Sequence, residues 1–316
     1  MKTYVLEGTV TALTAITHNG GEQNGTMSQL RRHKVVQPDH TVEHVPVVSG
    51  NSLRGLLRDV GFMHMFKHLG YGMDEETGMI KGLSLKAFYF FFSGGGLSST
   101  GDSGLDIERY RELKQTIPLV GLFGGASGNN IMPGKIKIHP LMPIVTQTAH
   151  LIPSEFVHAN LNSVWDYCDP VMYTRKDDEK NDKLRGLIGG DDMTLLQGGA
   201  DKKEITKSAT AQQMMYHVET LAAGTPFYWK IVLEDVTTLE YEAFVNALYQ
   251  FSRSPYIGGK SGIGHGEISI KLDKWMEIDS RISAKGNELA RPLLVEYYKY
   301  LDEKGQKIRN MAKEIQ

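Results

Sequence analysis

The sequence lacks the features that mark several large classes of protein. Among its 316 residues there is a single cysteine, Cys168, which excludes an internal disulfide and any zinc or iron–sulfur site built on paired cysteines. No apolar run approaches the ~18 residues that a membrane-spanning helix needs. The first residues, MKTYVLEGTV, alternate from the start and contain no apolar h-region of a secretory signal. We therefore expect a cytoplasmic protein of a reducing compartment, with no membrane contact.

A strong charge of one sign is also missing. The formal net charge is −2 and the isoelectric point is about 6.6, whereas a free-standing nucleic-acid-binding protein is more often basic. A groove, however, needs only local charge. The block RRHK at 31–34 is basic, and the stretch 256–266 carries Lys260 and His265 with no acidic residue. The charge distribution therefore permits a local contact with a polyanion.

Apolar periodicity and turn residues predict an α+β fold. Strands are expected at 3–16, 44–48, 135–145 and 265–272, with two more within 215–236, and helices at about 51–68 and after the capping box from Thr237 to Glu240. The apolar run FYFFF at 88–92 is predicted to be a buried strand. The order strand, helix, strand, then strand, helix, strand is the β-α-β-β-α-β pattern of ferredoxin-like (RRM-like) folds.

The chain is expected to form one elaborated domain rather than two independent ones. Residues 1–149 and 216–275 carry the sustained periodicities and would form a ferredoxin-like palm. Residues 150–215 are polar, with repeated GlyGly and AspAsp pairs, and are predicted to be a large insertion. Residues 276–316 are predicted to be a charged, helical C-terminal tail.

The stretch PYIGGKSGIGHGEISI at 255–270 raises the question of which phosphate a glycine-rich loop with a lysine would bind. A P-loop requires G-x-x-x-x-G-K-[ST] between a strand and a helix. Here Ser254 takes the place of the first glycine, and the loop follows a predicted helix and enters a strand. The dinucleotide fingerprint G-x-G-x-x-G does not fit either. What remains is a loop whose backbone N–H groups, with Lys260 and His265, approach a polyanion, or else a plain helix-to-strand connection.

A second candidate phosphate site is the helix start in SGNSLRGLLRD, where Ser49, Asn51 and Ser52 are candidates for the N-cap. The first turn of a helix offers free N–H groups and a partial positive charge. Arg54 and Arg58 are four residues apart and are expected on one face, opposite the leucines. This arrangement suits the phosphates of a strand that passes the helix N-terminus. The alternative is an amphipathic helix with ordinary surface arginines.

Together these stretches resemble the RAMP superfamily of CRISPR proteins. VPVVSGNSLRGLLR resembles the glycine-serine-leucine-basic signature that follows the first strand of that superfamily. IGGKSGIGHGEISI resembles its glycine-rich loop near the end of the second ferredoxin-like half. LVGLFGGASG with KIKIHP, and VETLAAGTPFYWKIVLED, are similar to segments between these two. The matches span residues 1–60, 117–146 and 216–272, in the expected order.

The resemblance implies a RAMP-type palm from which residues 150–215 project as a thumb with insertions. It implies a backbone subunit that oligomerises along a CRISPR RNA, holds its phosphates and presents its bases for pairing with a target nucleic acid, alongside other CRISPR effector subunits. We expect no cofactor and no metal. The residues expected to contact RNA are Arg31, Arg32, Lys34, Ser49, Asn51, Ser52, Arg54, Arg58, Lys202, Lys203, Lys207, Gly258, Gly259, Lys260, Ser261, Gly262, Gly264 and His265.

Catalysis is not expected from the resemblance. Some backbone subunits of the superfamily cut target RNA with an aspartate on the loop before the first helix. Here the corresponding position falls between Met27 and Leu30, and the only aspartate of that loop, Asp39, lies close to the following strand. We therefore expect a non-catalytic subunit, with the type IV branch preferred and the type III branch second.

Two other functions stay open. A metal-independent ribonuclease of the same superfamily would use a histidine as general acid or base, and His33, His40 and His44 are available. A structural or interaction protein without nucleic acid, in which the glycines serve strand packing, is the third possibility. RNA that copurifies and binds less tightly as salt rises would separate this last function from the other two.

Overall fold

The computed structural model describes residues 1–24, 27–71, 82–95, 107–127, 130–175, 214–277, 283–284 and 294–315. The strands within them are β1 (Lys2–Ala12), β2 (Asn19–Asn24), β3 (Met27–Leu30), β4 (Arg32–Val36), β5 (Val42–Pro46), β6 (Gly125–Ser127), β7 (Asn130–Met132), β8 (Ile136–Ile138), β9 (Met142–Pro143), β10 (Cys168–Arg175), β11 (Met214–Leu221), β12 (Pro226–Val236), β13 (Ile268–Glu277) and β14 (Ser283–Ala284). The α-helices are α1 (Gly50–His68), α2 (Leu85–Phe88), α3 (Ile107–Thr116), α4 (Pro118–Phe123), α5 (Thr238–Ser252) and α6 (Val295–Glu314).

The central sheet has the strand order β14-β13-β1-β12-β8, with β9 also paired to β12, and its neighbouring strands are all antiparallel. Strand β1 lies in the middle, where Leu6 is opposite Ile231 of β12 and Trp275 of β13. Helices α1 and α5 pack against each other and bury Phe62 and Phe244 in the same core as Leu6. The prediction of an α+β fold is confirmed.

The helix boundaries follow from local chemistry. The hydroxyl of Ser49 caps α1, and Thr237 and Glu240 form the predicted capping box at the start of α5. The two helices come close at Gly61, where a Cβ would lie 3.1 Å from the Cβ of Ala247. The glycine therefore allows the close packing of α1 on α5.

The aromatic run FYFFF is helical, so the prediction of a strand at 88–92 is wrong. Helix α2 ends at Phe88 and continues as a π-helical turn over Tyr89–Ser93. Phe90 and Phe91 are buried, whereas Phe88 and Tyr89 are exposed by 45% and 42%. A short run that is apolar all round does not distinguish a strand from a buried helix.

A second sheet, with the order β10-β11-β3-β2, carries the segment predicted to be an insertion. Strands β10 and β11 pair antiparallel along their length and bracket residues 176–213. Those residues, and with them Lys202, Lys203 and Lys207, lie outside the described residues. In the C-terminal tail, α6 buries Tyr297 and Leu301 in the main core. Over the described ranges, no helix has both the length and the hydropathy that a bilayer crossing requires.

Candidate nucleic-acid interface

Two consecutive residues after β1 join the three segments that the sequence marked as candidate phosphate sites. The Thr17 hydroxyl donates to the carbonyl of Gly259 over 2.6 Å, and the Gly259 N–H donates to the Thr17 carbonyl over 2.7 Å. The Ser49 N–H donates to Nε2 of His18 over 3.1 Å. The carbonyl of His18 accepts from the Arg31 N–H at 2.7 Å. The glycine loop, the start of α1 and the basic block therefore meet at Thr17 and His18.

His18 is held in its neutral form. Burial is the main cause that lowers its pKa, and the nearby Arg31, followed by His33, lowers the pKa further. Because Nε2 accepts the hydrogen bond from Ser49, the neutral ring carries its proton on Nδ1. Sequence reasoning placed His18 in a polar loop and missed it. The sequence feature that could have indicated an ordered position is the apolar Ile16, two residues earlier. In the structure Ile16 is fully buried and forms a β-bridge with Leu221.

The start of α1 is open to an anion. Its first turn contains no acidic residue, and the Ser49 hydroxyl satisfies one orphan donor, the Ser52 N–H, at 3.2 Å. Asn51 is exposed and Ser52 is half-buried. Gly50 is required by packing, since a Cβ there would lie 2.1 Å from the carbonyl oxygen of Ile138. The helix start thus presents polar side chains and a positive dipole end next to the sheet.

Arg54 and Arg58 do not face a common solvent groove, and the expectation that both lie opposite the buried face is wrong for Arg58. Its side chain is 6% exposed, and its guanidinium donates to the carbonyls of Phe123 at 2.6 Å and Gly124 at 3.1 Å. Arg54 also donates to the Phe123 carbonyl. Burial, followed by repulsion from Arg54, lowers the pKa of Arg58 to about 10. Helix α4 ends here, and its last carbonyls need donors, so Arg58 serves the fold.

The glycine loop between α5 and β13 is partly shaped by its own packing. Gly258 has φ 76°, and a Cβ there would lie 2.1 Å from the Thr17 carbonyl oxygen. Gly266 has φ 88°, and its Cβ would lie 2.0 Å from the Ile257 carbonyl oxygen. The exposed members of the loop are Gly258, Gly259, Ser261, Gly262, Ile263 and Gly264. The loop leads into a strand, which leaves no P-loop helix for a nucleotide phosphate.

Lys260 and His265 are held by two tyrosines that sequence reasoning missed. Tyr173 of β10 and Tyr216 of β11 are opposite each other in register, with ring centroids 5.5 Å apart and planes inclined by 23°. The Lys260 ammonium lies 4.6 Å from the Tyr216 ring centroid and 5.2 Å from that of Tyr173. Lys260 adopts a left-handed backbone conformation, with φ 63°. The glycine loop is therefore anchored to the β10–β11 ribbon, which brackets residues 176–213.

His265 is buried behind this lysine. Its Nε2 is hydrogen-bonded to the Tyr173 hydroxyl, while Nδ1 has no hydrogen-bond partner in the part of the chain that the structure describes. Burial lowers the pKa of His265, and the neighbouring Lys260 lowers the pKa further. The sequence feature that could have revealed this cluster is the tyrosine in each of the two paired strands β10 and β11.

The basic block divides into exposed and paired side chains. Arg31 and Lys34 are exposed. Arg32 forms an ion pair with Glu219, and its guanidinium lies 5.5 Å from the ring centroid of Trp165. Glu219 also accepts from the N–H of Leu30, the last residue of β3, at 2.9 Å. Arg32 therefore links the β4–β5 ribbon to β11 of the second sheet, and Arg31 and Lys34 supply the outward charge.

The three histidines proposed for a ribonuclease do not form one site. His33 pairs with Val45 and His44 with Lys34 along the β4–β5 ribbon, while His40 lies in its turn with φ 68°. Burial, then the charge of Arg31, lowers the pKa of His33. Across the described ranges, no three His, Cys, Asp or Glu side chains are grouped so as to hold a metal ion.

Fold and interface together define a class: an α+β protein in which a basic ribbon, a helix start and a glycine loop share one junction. No protein-family model matches the chain, and no curated protein matches it. Among solved structures, the chain is similar to a chain of a Type IV-B CRISPR complex, with a TM-score of 0.55 and 21% sequence identity. The likeness covers 92% of this chain and 96% of that chain. It shows a shared fold.

Proposed function

We propose that this chain is a non-catalytic, CRISPR RNA-binding backbone subunit of a class 1 effector complex, built on a RAMP-type palm. The observation that carries the proposal is the junction at Thr17 and His18, which brings three candidate phosphate sites together. The central strand order β13-β1-β12-β8, with a helix after β1 and another after β12, supports a ferredoxin-like palm. The shared fold with a chain of a Type IV-B CRISPR complex supports the choice of partner complex.

The chemistry of the junction favours a ribose–phosphate chain. Arg31 and Lys34 offer exposed cations, Asn51 an exposed amide beside the positive end of α1, and Lys260 a third cation across the junction. Contacts of this kind position a nucleic acid without reading its sequence. Base pairing with a target then supplies the specificity. The buried Arg58 is not among the proposed RNA contacts. Arg54 is half-buried, and only the exposed part of its side chain is proposed to contact RNA.

The same proposal includes the partners implied by the resemblance. In the cytoplasm, copies of this chain would lie side by side on one guide RNA, and other CRISPR effector subunits would join the complex. The guide RNA would then pair with a target nucleic acid. The type IV branch is preferred, and type III is second. Lys202, Lys203 and Lys207 of the insertion remain predicted contacts to RNA or to a neighbouring copy.

The proposal is tested by purifying the protein with and without nuclease and measuring its mass and its 260/280 nm absorbance ratio. We expect RNA-bound oligomers that break down to smaller species after nuclease treatment. The logarithm of the association constant for single-stranded RNA should fall linearly with the logarithm of the salt concentration, with a slope of about −0.7 for each phosphate neutralised. The double variant Arg31→Ala, Lys34→Ala should lower that slope, whereas Lys304→Ala, an exposed lysine on α6, should not. A solitary, nucleotide-free protein would refute the proposal.

One observation favours a second function, metal-independent RNA cleavage. His265, Tyr173 and Lys260 form a cluster of the residue types used for general acid–base catalysis. Incubation of labelled repeat RNA with the protein, in the presence of a metal chelator, distinguishes the two functions. Clean cleavage that His265→Ala abolishes would favour the nuclease, and protection of intact RNA in slowly migrating oligomers would favour the backbone subunit.

A further inference from the structure

We draw no further inference here: the strongest candidate, the exposed apolar stripe that Leu85, Phe88 and Tyr89 form along α2 and the π-helical turn after it, carries none, because nothing in the structure shows what covers it.

Discussion

The junction makes a quantitative prediction for Thr17→Val. The Thr17 side chain is 1% exposed, and its hydroxyl bond to Gly259 is 2.6 Å long. Valine fills the same space but removes the donor. The freed carbonyl belongs to an exposed glycine and regains water, so the loss stays near the usual net contribution of a hydrogen bond, about 1 kcal/mol. Because the backbone bond from Gly259 to Thr17 remains, the glycine loop should loosen rather than detach.

The assay pairs stability with RNA affinity and uses Thr225→Val as the control. Thr225 is fully buried, and its hydroxyl donates over 2.6 Å to the carbonyl of Ala222 in the turn before β12. In both variants the free energy of unfolding, measured by urea denaturation, should fall by about 1 kcal/mol. Only Thr17→Val should also weaken RNA binding, by about fivefold, because it alone removes a bond that holds the glycine loop at the Thr17–His18 junction. Equal RNA affinity in the two variants would show that the junction does not organise the interface.

Two further predictions concern Arg58 and His18. Arg58→Ala should lower the free energy of unfolding by about 2–4 kcal/mol in urea, since two charge-assisted bonds and their packing are lost. Its folded form should bind RNA as the unmodified protein does, and a loss of affinity at unchanged stability would contradict the structural role. In the folded protein the pKa of His18 lies below its ordinary value of 6.5. The stability that the neutral ring contributes is therefore fully present above pH 6.5 and is lost as the pH falls from 6.5 through the folded-state pKa. The variant His18→Gln keeps a neutral acceptor for the Ser49 N–H. Between pH 7 and pH 5, its melting temperature should therefore fall less than that of the unmodified protein. Equal losses would argue against a neutral His18 that accepts from Ser49.

Elements with a strong local signal were predictable from sequence. Helix α1 was expected at about 51–68 and runs over Gly50–His68, because Ser49 caps it and leucines recur at helical spacing. The box of Thr237 and Glu240 likewise fixes the start of α5. The strand expected at 135–145 is divided into β8 and β9, with Pro140, which has no N–H to donate, between them.

The parts that failed depend on contacts between distant residues. Nothing near Arg58 in the sequence indicates that the end of α4, more than sixty residues away, will supply the acceptors for its guanidinium. The aromatic run at 88–92 is apolar all round, so its period does not choose between strand and helix. His18 looked like a loop residue, because its partner Ser49 and the glycine loop beside it come together only in the folded sheet.

The near-neutral charge of the chain suits a subunit that works in many copies. On the proposed function, one copy offers the phosphates only a few outward cations, Arg31, Lys34 and Lys260, so its own grip on RNA is weak and salt-sensitive. A longer RNA that holds many copies side by side raises the effective concentration of each for its neighbours' sites, and affinity grows without new contacts. Strongly basic copies would repel one another in that arrangement, whereas a net charge of −2 per chain keeps the repulsion small. On the proposed function, the charge balance that argues against a free-standing RNA-binding protein therefore suits a close-packed array on RNA.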